Sequence, residues 1–319
     1  MSAPPASQRL LMLAFDHRTS FAREVIGTDE EPDAREAARV REAKLAVFEG
    51  LAAVAGPGGI PAADLGVLVD EQYGSAIPPL ARERGLTVAV AVERSGRRVF
   101  EFEYGERFEQ HIEAIDPDLA KVLVRLNPDG DAAANEIQLE RLRRLGDSLR
   151  EHRRGFLFEL LVPPTDAQLE SAGGDPARYQ DDARPELIVR AMESVQRAGI
   201  EPDLWKLEGV ERAEEAAAIV AQARNEPGRS EVGCVVLGAG AGDERVERWL
   251  RVSAATEGYR GFAIGRSIWR DPLLAFLDDG DREAVVERVR ERFLRFAGVW
   301  LEAEAPQVAP GPAANGDSR

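Results

Sequence analysis

The sequence predicts an α/β chain of the (β/α)₈, or TIM-barrel, kind. Three observations carry that expectation. Eight short apolar segments recur along the chain, nearly all separated by helix-like stretches. The segments are continuous apolar runs rather than alternating ones, as strands of a parallel sheet covered by helices should be. The set fits a chain of 319 residues, enough for one barrel of roughly 250 residues plus extensions.

In order, the predicted strands are 10–18 (β1), 64–74 (β2), 85–93 (β3), 119–131 (β4), 155–164 (β5), 203–209 (β6), 232–240 (β7) and 258–267 (β8). Helical periodicity marks 34–55, 134–152, 185–198, 211–225, 243–256 and 281–303. The charged, aromatic stretch 94–115 reads as a loop plus a helix over one barrel mouth. Residues 165–184 read as a polar excursion. Residues 1–304 form one domain, and the Pro/Gly/Ala-rich tail 305–319 reads as disordered. An open doubly wound sheet is the alternative, but β1 lacks a glycine-rich dinucleotide turn.

Composition excludes several classes. The net charge of −16 opposes nucleic-acid binding, which needs a basic surface. No apolar run is long enough for a membrane span, and the N-terminus lacks a signal-peptide pattern, so a cytoplasmic location is expected. A single cysteine, Cys234, supports neither a disulfide framework nor a cysteine zinc site. The acidic helices 211–225 and 281–303 read as solvated faces, with subunit contacts in a homo-oligomer as the alternative.

Of 41 basic residues only three are lysine: Lys44, Lys121 and Lys206. Arginine serves wherever only positive charge is needed. A lysine is irreplaceable where chemistry needs an amine that can lose its proton. Lys44 lies in the first helix and reads as a surface or helix-packing residue.

Polar residues interrupt the apolar strands repeatedly: Asp16 in β1, Asp70 in β2, Lys121 and Arg125 in β4, Glu159 in β5, Lys206 and Glu208 in β6. Strand side chains alternate faces, so Lys206 shares a face with Glu208, and Lys121 with Arg125. Barrels normally fill this space with branched apolar side chains. A charged layer there is either a buried ion-pair network or a catalytic site.

At the ends of β7 and β8 lie Gly238-Ala239-Gly240 and Gly265-Arg266-Ser267. Backbone N–H groups at such turns build phosphate sites, and an arginine adds a charged fork. Of the three histidines, His111 and His152 fall in predicted helices and only His17 ends a strand. No histidine cluster has metal-ligand spacing, which disfavours a metal-dependent aldolase. No cofactor is expected.

The ordered motifs LAFDHR, VDEQYG, AKVLVRLNPDGD, FLFELLVPP, DLWKLEG, GCVVLGAG and GFAIGRSIW resemble the barrel strands of a class I (Schiff-base) aldolase group. The group includes tagatose-bisphosphate and sulfofructose-phosphate aldolases. The chain is most similar to the 5-dehydro-2-deoxyphosphogluconate aldolase module of myo-inositol catabolism, over about residues 8–300. The resemblance implies a Schiff base on Lys206, a second active-site lysine at Lys121, a proton-shuttling carboxylate at Glu159, an assisting Asp16 and a phosphate-binding Arg266. It selects Lys206 over Lys121, a choice that composition leaves open.

The tagatose aldolases carry glutamine where this chain has His17, which points away from a bisphosphorylated hexose. The implied substrate is a phosphorylated sugar acid, 2-deoxy-5-keto-gluconate 6-phosphate, cleaved to dihydroxyacetone phosphate and malonic semialdehyde. Its carboxylate would be held by Arg18 or Arg125, with Gln72 and Tyr73 as further donors. The alternatives are an aldolase for another ketose phosphate and a non-catalytic phosphosugar-binding barrel.

Overall fold

The computed structural model describes residues 4–5, 7–27, 30–56 and 58–304, with side chains undescribed at 275–279. The expected tail 305–319 lies outside the described residues. Eight parallel strands close into a barrel in sequence order: β1 (Leu10–Ala14), β2 (Leu65–Val69), β3 (Thr87–Ala91), β4 (Leu119–Arg125), β5 (Gly155–Leu161), β6 (Leu204–Glu208), β7 (Gly233–Leu237) and β8 (Tyr259–Ile264). The fold expectation is met, and each strand falls inside its predicted segment.

Closure joins β8 to β1, with Leu10 opposite Gly261. A Cβ at Gly261 would lie 1.9 Å from the Leu10 carbonyl oxygen, and its φ is +152°. Only glycine lets the two backbones approach this closely.

Alternation splits the barrel interior into two zones. Leu10, Met12, Leu68, Ala89, Leu119, Leu157, Leu204, Val235 and Ala263 belong to one buried apolar cluster. Two residues further along β4, β5 and β6, on the same face, come Lys121, Glu159 and Lys206. The apolar cluster is the floor, and the charged groups begin where the floor ends. Outward-facing strand residues pack against the helices in a second, larger core.

The structure sharpens two local readings. The polar excursion is largely helical. A reciprocal Thr165–Gln168 capping box opens the helix Asp166–Ser171, and helical turns follow through Ala183. After the short β8, a helix starts at once, Arg266–Asp279, so Arg266 follows the strand, as expected, in the first turn of that helix.

Candidate active site

At the C-terminal ends of the strands lies a cavity of about 350 Å³. His17, Arg125, Glu159, Lys206, Glu208 and Arg266 line it, with the 238–240 turn. Catalytic sites of this fold sit at that end.

Register explains why the charges meet. Glu159 stands beside Lys206 on the adjoining strand, and Leu123 beside Glu159. The Glu159 Oε2 atom receives both lysines, Lys121 and Lys206, each at 2.9 Å. Lys121 also meets Asp16 Oδ2 at 2.7 Å and Glu93 Oε1 at 2.8 Å. Its ammonium therefore donates hydrogen bonds to two carboxylates and forms an ion pair with a third.

The electrostatics separate the two lysines. Burial works against the Lys121 charge, but Asp16, Glu159 and Glu93 outweigh it and raise its pKa well above the ordinary lysine range. Lys121 is a fixed cation. Lys206 has Glu159 as its one ion-pair partner among the described residues, and it lines the cavity. Burial would raise the Glu159 carboxyl, yet Lys121 and then Lys206 hold it below the usual range. Asp16 is likewise held low, its burial overcome by Lys121 and Lys206.

Glu93 was not anticipated. Burial pushes its carboxyl up, against Lys121 and Arg18. It closes the apolar segment of β3, so the rule that singled out the other interrupting charges applied to it as well.

His17 faces the cavity with its ring edge-on to Trp269, the centroids 5.6 Å apart. Its Nδ1 lies 3.8 Å from Asp16. Burial lowers its pKa to about 4; Asp16 opposes this, while Lys206 and Arg266 add to it. The imidazole is therefore neutral at pH 7. An NMR titration should place the His17 midpoint near 4 rather than near 6.5. The folded value lies below the unfolded one, so the unfolded chain takes the proton first as pH falls. His17 thus contributes stability above about pH 6.5 that is lost progressively toward pH 4.

The β7 and β8 turns meet as expected. Gly240 has φ +73°, and a Cβ there would lie 3.1 Å from Arg266 Nη2. The guanidinium rests on bare backbone. Ala239 also has positive φ, +49°, uncommon for a residue with a side chain. Gly238, Gly265 and Ser267 complete this corner of the cavity. Arg266 is exposed and has no ion pair among the described residues.

Geometry narrows or corrects several readings. Asp70 is fully buried, outside the cavity, where it accepts a hydrogen bond from Tyr73 N at 2.8 Å and pairs with Lys44. Of the two readings of Lys44, surface or helix-packing, the second holds: its ammonium is fully buried and also donates to the carbonyls of Phe15 at 2.7 Å and His17 at 2.9 Å. Arg18 is held by Glu103 at 2.6 Å and by the Glu93 carbonyl, away from the cavity lining. Glu208 does line the cavity, but Arg184 holds it at 2.7 Å. Gln72 donates to the Tyr73 hydroxyl at 3.1 Å, and neither lines the cavity. Tyr104 stacks on His111 at 3.5 Å, outside the site.

Residues 2–304 match the family described as "Uncharacterized protein conserved in bacteria (DUF2090)". The chain belongs to the DUF2090 family. No curated protein matches it. Among solved structures it is similar to Cgl0159 from Corynebacterium glutamicum (Brevibacterium flavum), at 19% identity and a TM-score of 0.55, over 90% of this chain and 86% of that one. That likeness carries the barrel fold for this DUF2090 chain. Among the described residues no helix is long and apolar enough to cross a membrane. Nor does any group of three or more His, Cys, Asp or Glu among them form a metal-holding set.

Proposed function

We propose that this chain is a class I aldolase that cleaves a phosphorylated keto-sugar acid through a Schiff base on Lys206. The observation that carries the reading is the contrast between the lysines. Lys121 is paired with three carboxylates, whereas Lys206 has one and faces the cavity.

The chemistry follows from that pairing. Glu159, 2.9 Å away, takes a proton from Lys206, and the free amine adds to the substrate ketone. The carbinolamine loses water, with Glu159 returning that proton to the departing hydroxyl beside the ionised Asp16, and leaves an iminium. Glu159 then removes the proton of the hydroxyl two carbons from the iminium carbon. The new carbonyl forms, the intervening carbon–carbon bond breaks, and its electron pair moves into the iminium as an enamine. For 2-deoxy-5-keto-gluconate 6-phosphate the departing aldehyde is malonic semialdehyde. Protonation and hydrolysis of the enamine release dihydroxyacetone phosphate and restore Lys206. Lys121 stays charged throughout and holds Glu159 and Asp16 in place.

Arg266 and the 238–240 backbone supply the phosphate anchor that sets the ketone over Lys206. Arg266→Ala removes a charged fork with no ion-pair partner among the described residues. It should raise KM for the ketose phosphate about 10- to 100-fold with little change in melting temperature. The reading is tested by assaying a panel of ketose phosphates for triose phosphate release. Release from the 2-deoxy-5-keto acid above all others supports it. Preferred release from tagatose bisphosphate or sulfofructose phosphate reassigns the substrate, and binding with no release from any member marks a non-catalytic barrel.

A further inference from the structure

The cavity is anionic-ligand territory at one end; its opposite end carries a second such feature. In the closed strand order β8 and β4 stand diametrically opposite, and β6 lies midway between them. Arg266 follows β8, Lys206 is on β6, and Arg125 is the last residue of β4. All three line one cavity. A ligand anchored at Arg266 and reacting at Lys206 runs toward Arg125.

Arg125 is exposed and has no carboxylate partner among the described residues. Its guanidinium donates to the Arg97 carbonyl at 3.2 Å. It also lines a second cavity, of about 330 Å³, which adjoins the first and adds Arg98. Arg98 too has no carboxylate partner among the described residues.

Most of the acids around these cations are already engaged, and none pairs with them. In the first cavity Glu159 is held by both lysines and Glu208 by Arg184. In the second, Asp129 pairs with Arg190 and Asp131 caps the helix Ala132–Glu151, while Asp166, in the first turn of the helix after β5, pairs with neither Arg98 nor Arg125. In a chain with 57 acidic residues, an arginine at the reacting cavity without one is arranged for an external anion. A single planar fork suits a carboxylate, which it can bind through two parallel hydrogen bonds.

We infer that Arg125, assisted by Arg98, forms a carboxylate subsite for the end of the substrate remote from its phosphate. This rests on the aldolase reading for the substrate's direction, and it makes Arg125 rather than Arg18 the specificity residue. Arg18 already spends its charge on Glu103 and Glu93.

The test uses two ligands that lack a ketone and so cannot form a Schiff base. They are 6-phosphogluconate and glucitol 6-phosphate, which differ by a carboxylate against a hydroxymethyl group. Calorimetric titration of the full chain should show the acid binding about 10- to 100-fold tighter. Arg125→Gln should remove that preference while glucitol 6-phosphate still binds. No preference in the unaltered chain, a preference that survives Arg125→Gln, or no binding of either ligand would overturn the subsite. Failure of the Schiff base leaves this comparison readable, because neither probe reacts with Lys206.

Discussion

Lys206→Arg should abolish carbon–carbon cleavage, lowering kcat by at least about 1,000-fold, while the folded chain still binds phosphorylated ligands. The guanidinium keeps a positive charge beside Glu159, so the ion pair at 2.9 Å has a replacement and the barrel interior stays paired. What is lost is the amine: guanidinium does not give up its proton near neutral pH and cannot attack a ketone. Lys121→Arg is the informative contrast. Lys121 acts as a fixed charge among Asp16, Glu93 and Glu159, so a second cation there retains part of the role. Steady-state kinetics on both variants decide the matter. Near-normal turnover by Lys206→Arg, or complete loss only in Lys121→Arg, would reverse the assignment.

Lys44→Met should destabilise the chain by about 3–5 kcal/mol. The change strands the Asp70 carboxylate with no counter-charge in a place without solvent. It also leaves the Phe15 and His17 carbonyls without their donor. Those carbonyls flank Asp16, so Lys44 fixes the turn that aims Asp16 at Lys121. The double variant Lys44→Met/Asp70→Leu removes both charges and should recover part of the loss, as buried pairs replaced by apolar residues often do. Urea denaturation of the single and double variants measures this. Equal stability of Lys44→Met and the unaltered chain would show the pair to be energetically idle.

The barrel was legible because its strands are continuous apolar runs, and a run such as GFLFELL has few other uses. The charged layer was legible for the same reason: Lys121, Glu159 and Lys206 interrupt runs where an unpaired charge is costly. Strand alternation then puts them on one face. Lys44 was left between surface and helix packing because its burial depends on two β1-end carbonyls and Asp70, contributed by distant segments. A charged residue on a helix carries no local sign of such partners. Asp70 was misread for the converse reason, since an acid ending a strand looks the same whether it faces the cavity or a buried lysine. Arg18 is claimed by Glu103 from the loop after β3, a contact no spacing reveals. Glu93 had the right signal, a charge ending an apolar run, and only its pairing with Lys121 singles it out.

The central claim is covalent chemistry at Lys206, and borohydride trapping tests it most directly. The chain is incubated with dihydroxyacetone phosphate, reduced, and mapped by mass spectrometry after digestion. A single stable adduct on the peptide containing Lys206, absent from Lys206→Arg, is the result expected. An adduct on Lys121, or none with the ligand demonstrably bound, would contradict the account.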